Sequence, residues 1–213
     1  MKSTRRSFFQ TAALTAATLA LGRRQVFSAD AGKKSFLVKQ PRMKLGTVTY
    51  NLAQDWDVPT IIKNCEAAGF QGVELRTSHK HGVEISLNKE QRAEVRKRFT
   101  DSKVELMGLG SAFDYHTSDP QKLRKDIEAT KEYIVLAQDV GASGVKVRPN
   151  GLPKEVPVEK TLEQIGRSLR ELGVFAKEHG QVIRLEVHGT GTSLLPNIKR
   201  IMEVADHPNV GVC

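Results

Sequence analysis

The sequence predicts an α/β fold built on a parallel sheet, because short β-branched runs alternate with longer helical faces from residue 44 onward and two of those runs repeat at a fixed spacing. Six strands are expected, at 44 to 50 (KLGTVTY), 72 to 76 (GVELR), 104 to 110 (VELMGLG), 144 to 148 (GVKVR), 182 to 188 (VIRLEVH) and 209 to 213 (NVGVC). Helices are expected between them at 57 to 68, 88 to 100, 119 to 140, 155 to 179 and 194 to 205. In the fourth, Leu162, Ile165, Leu169, Leu172 and Ala176 recur at steps of three and four, which is one helix face. The third opens on Ser118-Asp119-Pro120, a cap followed by proline in the first turn, and stops at Gly141.

The repeat is GFQGVELR at 69 to 76 against GASGVKVR at 141 to 148, identical at Gly, Gly, Val and Arg and 72 residues apart. One strand, helix and loop take about 36 residues, so the spacing is two βα units, natural in an eight-stranded (βα) barrel where alternate strands are equivalent. A doubly wound open sheet is the rival. Its glycine fingerprint is incomplete, since HGTGTS at 188 to 193 offers G-x-G and no third glycine in place.

Ahead of the repeating body stands a different kind of segment. Residues 1 to 34 begin with a short basic stretch, continue with an uncharged run from Thr11 to Gly22, and reach Ala29-Asp30-Ala31. That order is the layout of an export signal, and the apolar run is too short for a membrane span. Ser3 to Phe9, STRRSFF, is similar to a twin-arginine signal with Arg5 and Arg6 as the pair, implying periplasmic localisation. The expected division is therefore 1–31 signal peptide, 32–42 linker and 43–213 barrel domain, expected to be incomplete at its C-terminal end.

The leader also carries the charge. Residues 1 to 42 hold nine Lys and Arg and one acid, so they account for +8 of the formal +9 and leave 24 basic against 23 acidic residues in the body. A near-neutral body offers no electrostatic footprint for nucleic acid or anionic membrane. Two cysteines, Cys65 and Cys213, cannot build a disulfide framework, and neither has a Cys or His at metal-ligand spacing.

Chemistry-bearing residues fall at the carboxyl ends of the predicted strands, where sites in barrels and open α/β sheets are built. Glu74 and Arg76 end the second strand, Asp114, Tyr115 and His116 follow the third, Lys146 and Arg148 end the fourth, and Glu186 and His188 end the fifth. Residues two apart in a strand share a face, so each pair points one way. Glu186 is the foremost candidate, with no neighbour of opposite charge in its own strand except Arg184. Glu74 and Lys146 are read equally as a structural ion pair or as substrate contacts. His79 and His81, in a Lys- and Gly-bearing loop, are expected to be solvated, His179 to cap a helix end, and His207 to belong to a turn.

The leader, GFQGVELR, the segment from His116 to Asn150 and the LEVHG strand together resemble the sugar phosphate isomerase/epimerase group, the xylose isomerase-like barrels, over residues 43 to 213. The resemblance implies a partial TIM (βα)8 barrel with about six strands present, and a divalent metal (Mn, Mg, Co or Zn) that polarises a sugar carbonyl while carboxylates move a proton between neighbouring carbons. It implies that Glu186 is a metal ligand and half of the acid/base pair, and that His188, Glu74, Lys146, Arg148 and His116 contact substrate. The family's other metal ligands come from later strand ends, so the chain is expected to be an N-terminal portion, inactive alone, whose complete form is an exported isomerase or epimerase of a small sugar or sugar phosphate, with homo-oligomerisation expected as well. A non-catalytic carbohydrate-binding or degenerate barrel is the alternative. The DNA-cleaving branch of the same fold is disfavoured by the neutral body and the leader.

Overall fold

The computed structural model describes residues 43–213. The expected signal peptide and linker lie outside the described residues. Six strands form one sheet: β1 (Gly46–Val48), β2 (Gly72–Arg76), β3 (Glu105–Gly110), β4 (Gly144–Val147), β5 (Val182–Leu185) and β6 (Val210–Val212). The helices are α1 (Tyr50–Ala53), α2 (Val58–Ala68), α3 (Lys89–Thr100), α4 (Pro120–Val140), α5 (Val158–Glu178) and α6 (Leu195–Ala205). Every neighbouring pair of strands is parallel and the spatial order is the chain order, β1-β2-β3-β4-β5-β6. A doubly wound sheet reverses its strand order at a switch point. No reversal occurs here, so the open-sheet rival is excluded and the six strands follow the winding of a barrel wall.

The helices stop and start where their sequences dictate. Asp57 caps α2 by accepting from the Thr60 amide, Asn88 and Gln91 form a capping box on α3, and Asp119 accepts from the Gln121 and Lys122 amides at the head of α4. Gly69 and Gly141 close α2 and α4 in the left-handed conformation, φ 77° and 81°. These are the first glycines of the two repeat copies. The second glycines begin β2 and β4 because the backbone is crowded there: a Cβ on Gly72 would stand 2.5 Å from the Met107 sulfur, and one on Gly144 would collide with the Val182 carbonyl oxygen. The shared valines, Val73 and Val145, are fully buried.

The core lies between the sheet and the helices. Val73, Leu75, Leu106, Leu109, Val145, Val147, Ile183 and Leu185 point outward to meet the predicted α5 face of Leu162, Ile165, Leu169, Leu172 and Ala176, together with Ile134 and Leu136 of α4. Cys65 is buried among them as a small apolar residue, and burial pushes its thiol pKa up. A register shift between Val73 and Glu74 puts Met107 out of step, where its side chain covers Gly46 and Gly72 on the inner face.

Three details depart from the sequence reading. The first strand stops at Val48 and the chain turns at once into the four-residue α1 rather than extending to residue 50. The regular part of β5 ends at Leu185, although the Glu186 amide still donates to the Val147 carbonyl at 2.9 Å. His81, expected to be solvated, is buried. Its Nε2 lies 2.8 Å from the Arg76 carbonyl and its Nδ1 accepts from the Val83 amide at 3.0 Å, so the imidazole serves as a strut folding the loop after β2. His179 does sit at the C-cap of α5, with Nδ1 2.8 Å from Gln138 Oε1, and His207 accepts from the Asn209 amide in a turn. The G-x-G of HGTGTS serves chain crossing: Gly189 and Gly191 have φ 88° and 81°, and a Cβ on Gly189 would stand 2.5 Å from the Asn150 backbone.

Candidate functional site

Alternation in the strands leaves the inner face of the sheet polar, since the residues interleaved with the outward valines and leucines are Glu74 and Arg76, Gly108 and Gly110, Lys146 and Arg148, and Arg184, Glu186 and His188. An apolar barrel interior would be filled by branched aliphatics. Here β3 contributes glycines instead, and long charged side chains from β2, β4 and β5 occupy the space above them.

Lys146 is the hub. Its Nζ lies 2.9 Å from Glu186 Oε2 and 3.2 Å from Glu74 Oε1. The Glu186 contact is electrostatic, because that buried oxygen takes no hydrogen bond of good geometry. Burial by itself would lower the ammonium's pKa, but Glu186 and Glu74 outweigh it and hold the group above the ordinary lysine value. Glu186 is therefore neutralised by a neighbouring strand, contrary to the expectation that only Arg184 could approach it. The reason is register: Lys146 is paired with Arg184, so Glu186 stands one inward position higher, within diagonal reach of the lysine. Arg184 turns the other way, donating to the Met107 carbonyl and Ser143 Oγ at 3.2 and 2.8 Å.

Above this tier a cavity of about 170 Å³ opens at the carboxyl ends of the strands. Lys146, Arg148, Glu186 and His188 line it, as the sequence anticipates. Arg76, which the sequence places at the end of the second strand, lines it too, together with Val48, Tyr50 and Ser111, which the sequence did not single out. Tyr50 escaped notice because α1 is too short to leave a periodic signal. Arg76, by contrast, was legible as the repeat partner of Arg148. Its guanidinium lies 4.6 Å from the Tyr50 ring centroid. Its backbone is fixed from two sides, by the amide donating to Thr49 Oγ1 at 2.9 Å and by the His81 contact on the carbonyl. Ser111 closes the wall by donating through Oγ to the Lys146 carbonyl at 2.8 Å.

Glu74 is brought to this group through Lys146 rather than by lining the cavity. His116 stands apart in the loop after β3, its Nδ1 3.5 Å from Asp114 Oδ1. Tyr115 between them is fully buried at φ 55°, its hydroxyl 2.7 Å from Thr130 Oγ1, and burial raises its pKa. Six buried side-chain polar atoms among the described residues lack a hydrogen-bond partner, and five belong to Asp114, His116, Arg148, Glu186 and His188. Buried polar atoms left bare are costly. All five lie at the carboxyl end of the sheet; Glu186 Oε2 faces Lys146 and Asp114 Oδ1 faces His116 Nδ1, which leaves Arg148 Nε and His188 Nδ1 as the two with neither a hydrogen bond nor an ion-pair partner among the described residues. A larger cavity of about 570 Å³ between α4 and α5 lies on the outer helical layer, among residues already joined in ion pairs such as Arg124 with Glu171.

Six parallel strands in chain order with the polar residues gathered at their carboxyl ends are the wall of a (βα) barrel, and the family comparison agrees. Residues 62–213 match the xylose isomerase-like TIM barrel family, so the chain belongs to that family. No curated protein sequence matches it. Among solved structures it is similar to the IOLI protein with a bound zinc atom (TM-score 0.70, 18% identity, covering 80% of this chain and 62% of that one). It is similar also to 3-keto-D-glucoside 4-epimerase YcjR from E. coli (0.65, 16%, 80% and 67%) and to a D-tagatose 3-epimerase-like protein (0.63, 18%, 80% and 64%). The chain thus spans about 62% of the length of the IOLI protein. These likenesses establish the fold.

The described residues alone do not make a metal centre. No three His, Cys, Asp or Glu side chains converge among them, and Glu186 faces an ammonium group at 2.9 Å. No described helix is long and apolar enough to cross a membrane.

Proposed function

We propose that the chain belongs to an exported isomerase or epimerase that transfers a proton on a small sugar or sugar derivative. One observation carries this reading: Glu186 and Lys146, a carboxylate and a cation 2.9 Å apart, line one cavity at the strand ends. Glu186 takes the proton from the carbon beside the sugar carbonyl, the C–H pair moves into the new C=C bond, and the carbonyl oxygen gains the negative charge of an enediolate. Lys146 faces that oxygen as a fixed cation. Return of the proton to the former carbonyl carbon, with the hydroxyl proton passing from one enediolate oxygen to the other, gives isomerisation, and delivery of a proton to the opposite face of the original carbon by a second acid gives epimerisation. His188, with a bare buried Nδ1, orients a hydroxyl. His116 and Glu74 act from the periphery, Glu74 by holding Lys146.

The family resemblance implies a divalent metal, for which Glu186 is the one described residue matching the ligand pattern. The leader's order of basic, apolar and small residues supports export, with residues 1–31 as signal and 32–42 as linker. The printed names of the similar structures, a 4-epimerase and a 3-epimerase-like protein, support the reaction class.

The test is solvent exchange. The complete protein to which this chain belongs is incubated with D-tagatose or D-fructose in D2O, with and without Mn2+ or Co2+, and deuterium at the carbon next to the carbonyl is read by NMR. Exchange that disappears in Glu186→Gln supports the reading. No exchange under any condition, or exchange that survives the substitution, overturns it and favours a carbohydrate-binding barrel.

A further inference from the structure

We infer that Arg76 and Arg148 form an oxyanion clamp, so that the sugar taken by this site carries a carboxylate or a phosphate. The inference rests on the sugar-binding reading above and narrows its substrate class. Both arginines line the same cavity, yet neither guanidinium forms an ion pair or an intramolecular hydrogen bond among the described residues. Arg148 is the more telling, because its Nε is buried and bare. Lys146 cannot answer for the missing anion, being already flanked by Glu74 and Glu186. One ammonium against two carboxylates leaves the floor with a carboxylate in excess, so Arg76 and Arg148 together give the group a surplus of one positive charge, and neither guanidinium has an anionic partner among the described residues.

The geometry is prepared rather than incidental. The 72-residue repeat makes the two arginines counterparts in sequence, and the register sets Arg76 at the end of β2 level with Lys146, so that Arg148, just past the end of β4, stands two residues higher on the same face. β3, the strand between them, presents Gly110 at the position paired with Arg76, and the room this glycine leaves is taken by the Glu74 carboxylate and the Lys146 stem, which form the floor beneath the arginines. Tyr50 supplies a flat surface under Arg76, and the Arg148 amide is held by the Phe113 carbonyl at 2.8 Å. Planar forks of this kind bind carboxylate or phosphate oxygens in pairs, where a neutral hydroxyl makes weaker single bonds.

The experiment is calorimetric titration of the full chain at low salt with three probes: D-glucose, D-glucuronate and D-glucose 6-phosphate. The expected result is a Kd for one or both charged sugars lower than that for glucose by roughly tenfold or more, with the better of the two identifying carboxylate or phosphate. Arg76→Gln and Arg148→Gln should each erase that preference. Equal affinity of the wild-type protein for all three sugars overturns the clamp and leaves the isomerase reading standing, and this arm needs no variant to fold. Retention of the preference in both variants likewise overturns it. Failure of all three probes to bind overturns the clamp together with the sugar-binding reading.

Discussion

A Cβ on Gly110 would stand 2.6 Å from Oε1 of Glu74, so the carboxylate reaches Lys146 only across the space that a glycine leaves open. The obstructed atom is the end of a flexible side chain. Gly110→Ala should therefore fold, with the Glu74 carboxylate swung away from Lys146 and the Glu186 contact kept, at a cost of about 1 kcal/mol. A crystal structure of the variant checks this, and a Glu74 to Lys146 distance still near that of the wild type would count against it.

Gly144 is the contrasting case. Its added Cβ would meet the Val182 carbonyl oxygen, which belongs to the backbone of the paired strand. Gly144→Ala should cost about 1–3 kcal/mol or more in urea unfolding, clearly exceeding the Gly110 substitution. Equal effects at the two glycines would refute the distinction between side-chain and backbone obstruction.

Removing the hub exposes the charge balance of the lower tier. The Lys146→Met variant leaves Glu74 and Glu186 facing each other without a cation, partly buried, and should lose about 1–3 kcal/mol at neutral pH. Acidification neutralises carboxylates, so part of that deficit should be regained as pH falls, opposite to the usual acid response. In the wild type the lysine's pKa is raised on folding, so its contribution is complete below the ordinary lysine value and is lost as pH climbs through the higher folded one. Melting temperatures of both proteins across pH measure this, and parallel curves would argue against the triad.

His81 gives a second pH response with the reverse sign. Burial lowers its pKa from the ordinary 6.5 by disfavouring the charged ring, and this outweighs the Arg76 carbonyl, which favours protonation. A depressed histidine contributes stability above its unfolded pKa and withdraws it as pH falls through the window below 6.5. The loop between β2 and α3 should lose amide-exchange protection there before the sheet does. An imidazole NMR titration placing His81 at or above the ordinary value would end this account.

Much of the fold was legible because local rules and global winding agree. The α5 face, the Asp119-Pro120 start and the repeat glycines each state their structural role in the sequence, and the strand edges are displaced by only a few residues. The cavity was half legible. Period-two alternation placed Lys146, Arg148, Glu186 and His188 on one face, but which residues touch across strands depends on register, which no single strand encodes. Hence the Lys146 partner of Glu186 was missed. His81 was misread for a related reason: a His in a polar loop is buried only because the loop folds back on the Arg76 carbonyl, a tertiary event without a local signature.

The repeat also says something about how such a protein can diverge. Positions 74 and 146 are counterparts in the two copies and carry opposite signs, whereas 76 and 148 carry the same sign. Two like charges at the lower counterparts would repel, so a change there is tolerated only with a matching change opposite. The upper counterparts are free of that bond to one another. Mutational drift in ligand preference would thus accumulate one arginine at a time at the rim, while the floor beneath it stays locked by its own arithmetic of sign.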